Sequence, residues 1–272
     1  MGVKLPGILP VKTLEWENLK GKKIGIDFSN VCYQFLSSIR QKDGTPLMDS
    51  KGRVTSHLSG IFYRSLNLMQ KGITLCYIFD GKPPALKFQT QQMRRERKEK
   101  AHEKYVLAKD EEDIELMHKY SKQVTYVNNE IIDESKELIT ALGIPIVQSP
   151  QESDAQGAFM AEQGDIWAFA SSDADCLLHG CPRIIPNLTL SEKRKLANGS
   201  FVYIKPELVE LNDVLEHLNI NQDQLIVLGI CVGTDYNPKG IKGIGPKKAL
   251  QLVQNKKNFN ELFADLNPEF NW

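Results

Sequence analysis

KKIGID (22–27), ITLCYIFD (73–80) and IWAFASSD (166–173) are short apolar runs, and each ends in an aspartate. Runs of this length, bounded by polar or turn residues, read as buried parallel strands. IPIVQS (144–149) has the same character, and FVYIK (201–205) is a weaker fifth candidate. Helical candidates at 54–71, 130–142 and 152–163 lie between them. This alternation predicts an α/β domain with a central, mostly parallel sheet flanked by helices.

In open parallel sheets, sites form outside the carboxyl ends of the strands. Asp27, Asp80 and Asp173 fall there, with Asp175 two residues on and Glu152 and Asp154 following the fourth run. Asp235 sits after an apolar helix near 222–232. Helix capping is the competing reading for any one of these acids. Ser149-Pro150-Gln151-Glu152 also has the form of a capping box, with Pro at the first helical position. Capping explains poorly why acids recur after four strands. A carboxylate cluster without organised His or Cys partners selects hard divalent ions, Mg2+ or Mn2+. Two such ions about 4 Å apart activate water and stabilise the leaving oxygen in phosphoryl displacement.

Composition narrows the setting. The chain has 272 residues, 41% hydrophobic and 25% charged, which excludes disorder as its main state. Lys+Arg and Asp+Glu are both 34, so a uniformly basic nucleic-acid binder is excluded, but segregated charge is not. Residues 87–109 carry eight bases and three acids, DEEDIE (110–115) follows, and 239–257 holds six lysines and no acid. The 87–109 run reads either as a solvated, salt-bridged surface helix or as a basic element over a phosphate-binding site. No run of about 18 apolar residues occurs and the N-terminus lacks a signal-peptide pattern, so no membrane partner is expected. Five scattered cysteines read as reduced thiols of a cytosolic protein. Cys176–His179–Cys181 reads as packing rather than zinc, since a fourth ligand is missing. From 206 onward the pattern reads as all-helical, with a helix opening at Pro246.

Several segments together resemble the flap endonucleases of the 5′-nuclease superfamily: IDFSNVCYQFL (26–36), TSHLSGIFYR (55–64), YIFDGKPP (77–84), QESDAQGAFMAEQGD (151–165), SSDADCLLHG (171–180) and LGICVGTDYNPKGIKGIGPKKA (228–249). RQKDGTPLMDSKGR (40–53) is similar to archaeal members. The resemblance implies a PIN-like nuclease fold forming one nuclease domain over 1–272. Within it, 87–129 would be a basic helical arch between nuclease regions 1–86 and 130–205. Residues 206–272 would be a helical region with a helix–two-turn–helix DNA-binding motif.

By matching motif, the resemblance makes Asp27, Asp80, Glu152, Asp154, Asp173, Asp175 and Asp235 the ligands of two Mg2+ ions. It makes Lys87 and Arg94 catalytic contacts to the scissile phosphate. Gly2, Tyr33, Arg40, Arg64, Gly243, Gly245, Lys247 and Lys248 become DNA-binding positions, although Tyr33 alone reads as core. Potassium is expected at the helix–two-turn–helix motif. The implied activity is hydrolysis of branched DNA carrying a 5′ flap, in replication (Okazaki fragment processing) and repair. Other readings are a 5′–3′ exonuclease, a junction resolvase, or a non-catalytic DNA-binding scaffold. A monomer is expected, cytoplasmic in an archaeon and nuclear in a eukaryote. A sliding clamp is expected as partner of a longer form, since the Q-x-x-apolar-x-x-aromatic-aromatic tail is not present.

Three departures from the family pattern stand out. Glu152-Ser153-Asp154 replaces E-G-E. Ala174, Cys176 and His179 stand where archaeal relatives carry Tyr, Ser and Phe. The sequence ends at NPEFNW (267–272), where relatives continue.

Overall fold

A computed structural model describes residues 8–41, 44–110, 113–121, 127–188, 193–195, 199–256 and 258–268. Gly2, Lys257, most of NPEFNW and two acids of DEEDIE lie outside them. The chain enters through β1 (Lys12–Thr13) and β2 (Lys23–Asp27), which runs straight into α1 (Phe28–Ser38). α2 (Ser56–Gln70) leads to β3 (Thr74–Phe79), after which α3 (Phe88–Asp110) and α4 (Ile114–Ser121) pack on each other. α5 (Asn129–Ala141), β4 (Ile146–Gln148), α6 (Ser153–Glu162), β5 (Ala168–Ala170), α7 (Asp175–Leu178) and β6 (Arg183–Ile184) complete the alternation. A hairpin of β7 (Lys193–Lys195) and β8 (Phe201–Tyr203) precedes β9 (Glu207–Glu210). The remaining helices are α8 (Leu211–Leu218), α9 (Gln222–Val232), α10 (Pro246–Asn255) and α11 (Phe259–Leu266).

The central sheet has the order β1-β9-β6-β5-β2-β3-β4. The run from β6 to β4 is parallel, and β9 and β1 add an antiparallel edge. Asp27 pairs with Ile78, Phe79 with Gln148, and Ile26 with Ala170, so the carboxyl ends of β2 to β5 lie level. That register brings acids far apart in sequence to one rim.

Alternation along the strands feeds two cores. Ile24, Ile26, Leu75, Tyr77 and Phe79 face the core with α1, α2 and α5, while Ile78 and Phe169 face α6 and the later helices. Gly25 is needed on the second face, because a Cβ there would lie 2.7 Å from Ile166. A side chain there would force the terminal methyls of Ile166 and Ile78 to shift within the core.

Two expectations fail at the sheet margin. FVYIK forms β8, but outside the central sheet, antiparallel to β7 and with Phe201 and Tyr203 exposed. Its partner strand is Lys193-Arg194-Lys195, and Gly199 takes φ +85° between them, so the segment is a solvated hairpin rather than a buried strand. The tail from 206 is not all-helical either. Glu207–Glu210 pairs with β6 and β1, and adjacent Leu208 and Val209 enter opposite cores, as in a strand covered on both faces.

Farther on, α9 ends at Gly233 (φ +112°), and Gly240 (φ +56°) returns so close to α9 that a Cβ would meet the Val232 carbonyl at 2.4 Å. Gly245 is the N-cap of α10 and Pro246 its first residue, which gives the expected helix–two-turn–helix.

Candidate active site

The level strand ends open into a crevice of about 580 Å³. Asp27, Asp80, Glu152, Asp154, Asp173 and Asp235 line it. Asp175, the seventh expected ligand, is buried beside the others, where its backbone N–H donates to Asp173 (3.1 Å). The opposite wall is basic. Lys87, Gln91, Arg94 and Lys98 project into the crevice at helical spacing, with Arg97 beside them. The arch reading of 87–109 therefore describes this face, and the salt-bridge reading describes another, where Arg95 pairs with Glu99 (2.9 Å).

Each acid is held by neighbours that sequence spacing does not reveal. Asp27 caps α1 by accepting the Asn30 N–H (3.0 Å), so capping and site residue coincide. Its other oxygen accepts the Ser171 hydroxyl (2.9 Å). Asp80 accepts the Ser153 N–H (2.8 Å) and the Ser29 hydroxyl. The Cys176 thiol donates to Asp154 (3.0 Å). The capping box expected at Ser149–Glu152 does not form. α6 starts at Ser153, Glu152 makes no side-chain cap, and its carboxylate turns to Lys87 and Tyr236.

Electrostatics give the crevice its character. Burial pushes Asp27 up to about 7, and the charges of Asp80 and Asp173 add to the rise. Asp154 is raised well above the usual carboxylate range by burial, then by Asp27 and Asp173. Acids crowded in this way need cations. Lys87 Nζ touches Glu152 and lies 3.1 Å from Asp235, which Arg94 grips with two hydrogen bonds of 2.7 and 2.8 Å. Burial alone would lower the Lys87 pKa, but these two carboxylates more than reverse it and hold the ammonium charged.

Among the described residues no three ligand-type side chains converge as a ready-made metal cage, and two carboxylates instead hold protein cations. The side chains lining the crevice offer carboxylate, hydroxyl and amide oxygens, with no thiol or imidazole among them. That donor set fits a hard divalent cation. The Cys176–His179–Cys181 trio does not fit zinc. Cys176 serves Asp154, and Cys181 donates to the Arg183 carbonyl (3.3 Å).

The expected DNA contacts divide by location. Tyr33 lines the crevice and is 41% exposed, against the core reading, with the Lys98 ammonium 4.9 Å from its ring centre. Arg40 instead lines a separate cavity with His102 and Tyr105 and donates to the Gly44 carbonyl (2.7 Å). Arg64 donates to the Leu188 carbonyl (2.6 Å) and is not among the residues that line the crevice. Gly243, Gly245, Lys247 and Lys248 sit exposed on the helix–two-turn–helix, which buried Ile241 and Ile244 pin in place. Sequence reasoning missed Tyr236, Ser29, Ser153 and Ser171, and also Thr90, whose hydroxyl donates to the Asp235 carbonyl (2.5 Å). Adjacency to Asp235 is the one local signal for Tyr236.

The XPG N-terminal domain model matches residues 2–101, and the XPG I-region model matches 143–235. Flap endonuclease 1 of Pyrococcus abyssi is 55% identical over 259 residues, covering 95% of this chain and 76% of that protein. The Saccharolobus solfataricus flap endonuclease 1 is 50% identical over 244 residues, covering 89% and 70%. Among solved structures, flap endonuclease-1 from Methanococcus jannaschii aligns with TM-score 0.72 and 42% identity, over 97% of this chain and 84% of that one. The catalytic core of Rad2 in complex with DNA substrate aligns with TM-score 0.69 and 25% identity, over 94% and 69%.

A parallel sheet presenting acids to a basic helical wall, with both XPG regions in order, defines a metal-dependent nuclease of the XPG class. Within that class, the chain belongs to the flap endonuclease 1 family.

Proposed function

We propose that this chain is a structure-selective 5′ flap endonuclease of DNA replication and repair. It hydrolyses one phosphodiester of branched DNA near the junction of single strand and duplex, leaving a 5′-phosphate and a 3′-hydroxyl. The observation that carries this reading is the crevice itself: six carboxylates, gathered from the level strand ends, the start of α6 and the loop after α9, face a stripe of arch bases across about 580 Å³. Carboxylates alone would repel a phosphate, and bases alone would bind it without chemistry.

Asp27, Asp80, Glu152 and Asp154 would hold one divalent ion, and Asp173, Asp175 and Asp235 a second. Bound Mg2+, replaceable by Mn2+, supplies an activated water and stabilises the leaving oxygen. Lys87 and Arg94 leave Glu152 and Asp235 and donate charge-assisted hydrogen bonds to the scissile phosphate. Tyr33 offers an exposed ring for base stacking at the crevice wall. Lys247 and Lys248 attract duplex backbone without reading sequence. The protein acts as a monomer, with a sliding clamp as partner of a longer form.

Matched 5′-labelled substrates test this: a 5′ flap, a blunt duplex and a four-way junction, each with Mg2+ and with EDTA. Incision near the flap junction, absent in EDTA and much faster than on the other two, is expected. Preference for the blunt end would make the chain an exonuclease, and symmetric junction nicking would make it a resolvase. Retained flap binding with no incision would mark a DNA-binding scaffold.

A further inference from the structure

Glu152 lies on the β4–α6 connection, and its carboxylate is met from across the crevice by the phenol of Tyr236 on the loop after α9. We propose that Tyr236 is a positioning residue for the metal-binding carboxylate Glu152, a role that rests on the metal reading of the crevice. Three observations carry it.

First, Glu152 has no local restraint. It occupies the N-cap position of α6 without making a cap hydrogen bond, so its direction is set by long-range partners. Those partners are Lys87 and Tyr236. Lys87 is lost as a partner once it turns to a phosphate, which leaves the phenol O–H as the remaining donor.

Second, Tyr236 is carried by a braced loop. Asn237 accepts hydrogen bonds from the Thr234 N–H (3.0 Å) and hydroxyl (2.8 Å) and donates to the Ile230 carbonyl (2.7 Å). The Tyr236 N–H donates to the Thr234 hydroxyl (3.1 Å). A donor on a rigid mount fixes a carboxylate far better than one on a mobile chain.

Third, one side chain serves both walls. The Lys87 ammonium stands 5.8 Å from the centre of the Tyr236 ring, and the preceding residue, Asp235, receives Lys87 and Arg94. The ring is polar at its tip and apolar along its body. It orients Glu152 with the hydroxyl and presents its face to the Lys87 ammonium.

Tyr236→Phe removes the hydroxyl and keeps the ring, whereas Tyr236→Leu removes both. Metal-stripped wild type and variants are titrated with Mn2+ followed by electron paramagnetic resonance of the free ion. Single-turnover flap cleavage across Mg2+ concentration, flap affinity in Ca2+ and thermal midpoint complete the set. Loss of an outer-shell partner weakens metal binding on the order of tenfold. Tyr236→Phe is expected to show that loss for Mn2+ and a similar slowing of cleavage at low Mg2+. High Mg2+ restores its rate, while flap affinity and thermal midpoint stay those of wild type. Tyr236→Leu stays slow at high Mg2+, because Lys87 has lost its support.

Wild-type Mn2+ binding and Mg2+ dependence in Tyr236→Phe would overturn the assignment while leaving the metal reading intact. A fall in thermal midpoint that tracks the lost activity, with no rescue by metal, would also overturn it in favour of a folding role. Wild type binding no Mn2+ would overturn both.

Discussion

Replacing Lys87 with alanine removes the cation shared by Glu152 and Asp235. All three side chains are well covered, at 14%, 11% and 8% exposure. At the 3.1 Å separation from Asp235, Coulomb attraction is about 5 kcal/mol at an effective dielectric near 20, and desolvation offsets most of it. Arg94 remains on Asp235, but Glu152 loses its cation, so metal-free Lys87→Ala should lose up to about 3–5 kcal/mol of stability. Cleavage by the folded variant should suffer as well. A charge-assisted donor to the scissile phosphate contributes about 2.7–4 kcal/mol in the transition state, or roughly 10²–10³ in rate. Single-turnover cleavage at saturating flap should fall by that factor, while flap affinity, measured by anisotropy in Ca2+, changes little. The half-saturating Mg2+ concentration should also fall, because Glu152 and Asp235 lose a competing cation. An affinity loss equal to the rate loss, or a rise in the Mg2+ requirement, would refute the reasoning.

Gly157 packs face to face with Phe169, and a Cβ there would lie 2.5 Å from the buried ring. Gly157→Ala should cost about 1–3 kcal/mol, read as a lower urea midpoint with unchanged slope. His57 is fully buried, and burial lowers its pKa below 6.5 despite Glu134 at 3.2 Å. The unfolded chain then binds the proton more readily, so this stability is lost as pH falls through about 6.5. His57→Gln should flatten the thermal midpoint against pH between about 5 and 7, and an unchanged slope would contradict it. Removing both Lys247 and Lys248 should weaken duplex binding and reduce the slope of log affinity against log salt by nearly two. The rate at saturating DNA should be unchanged, and a slope equal to that of wild type would place these lysines off the DNA.

The interior strands were legible because each is buried on both faces and must be apolar throughout. β2, β3 and β5 therefore stand out as runs, and the acids at their ends follow from direction alone. The margins were not legible in this way. β9 has only Leu208 and Val209 to bury, and β8 exposes its aromatics, so neither carries the period of a buried strand. Glu152 reads both as a site acid and as the end of a capping box, because the local motif is correct. The cation at Lys87, 65 positions earlier, outcompetes the local backbone for its carboxylate. Tyr236 carries no local signature for the same reason, since its value lies in a contact made 84 residues away. The arch stripe was present as Lys87, Gln91, Arg94 and Lys98, but charge balance alone left two faces to choose from. Arg40 marks the opposite limit: the motif matched, and the side chain lines another cavity.

The central claim is that the strand-end carboxylates bind divalent metal and hydrolyse DNA. Single-turnover incision of a labelled 5′ flap across a Mg2+ titration, comparing wild type with Asp154→Asn, tests it most directly. Asp154 is half-buried in the crevice wall near Asp27 and Asp173, and asparagine keeps its shape while removing its charge. The account predicts incision by wild type only with metal, and loss on the order of 10³ in the variant at any Mg2+ concentration while flap binding persists. Incision by wild type in EDTA, or a variant as active as wild type, would contradict it.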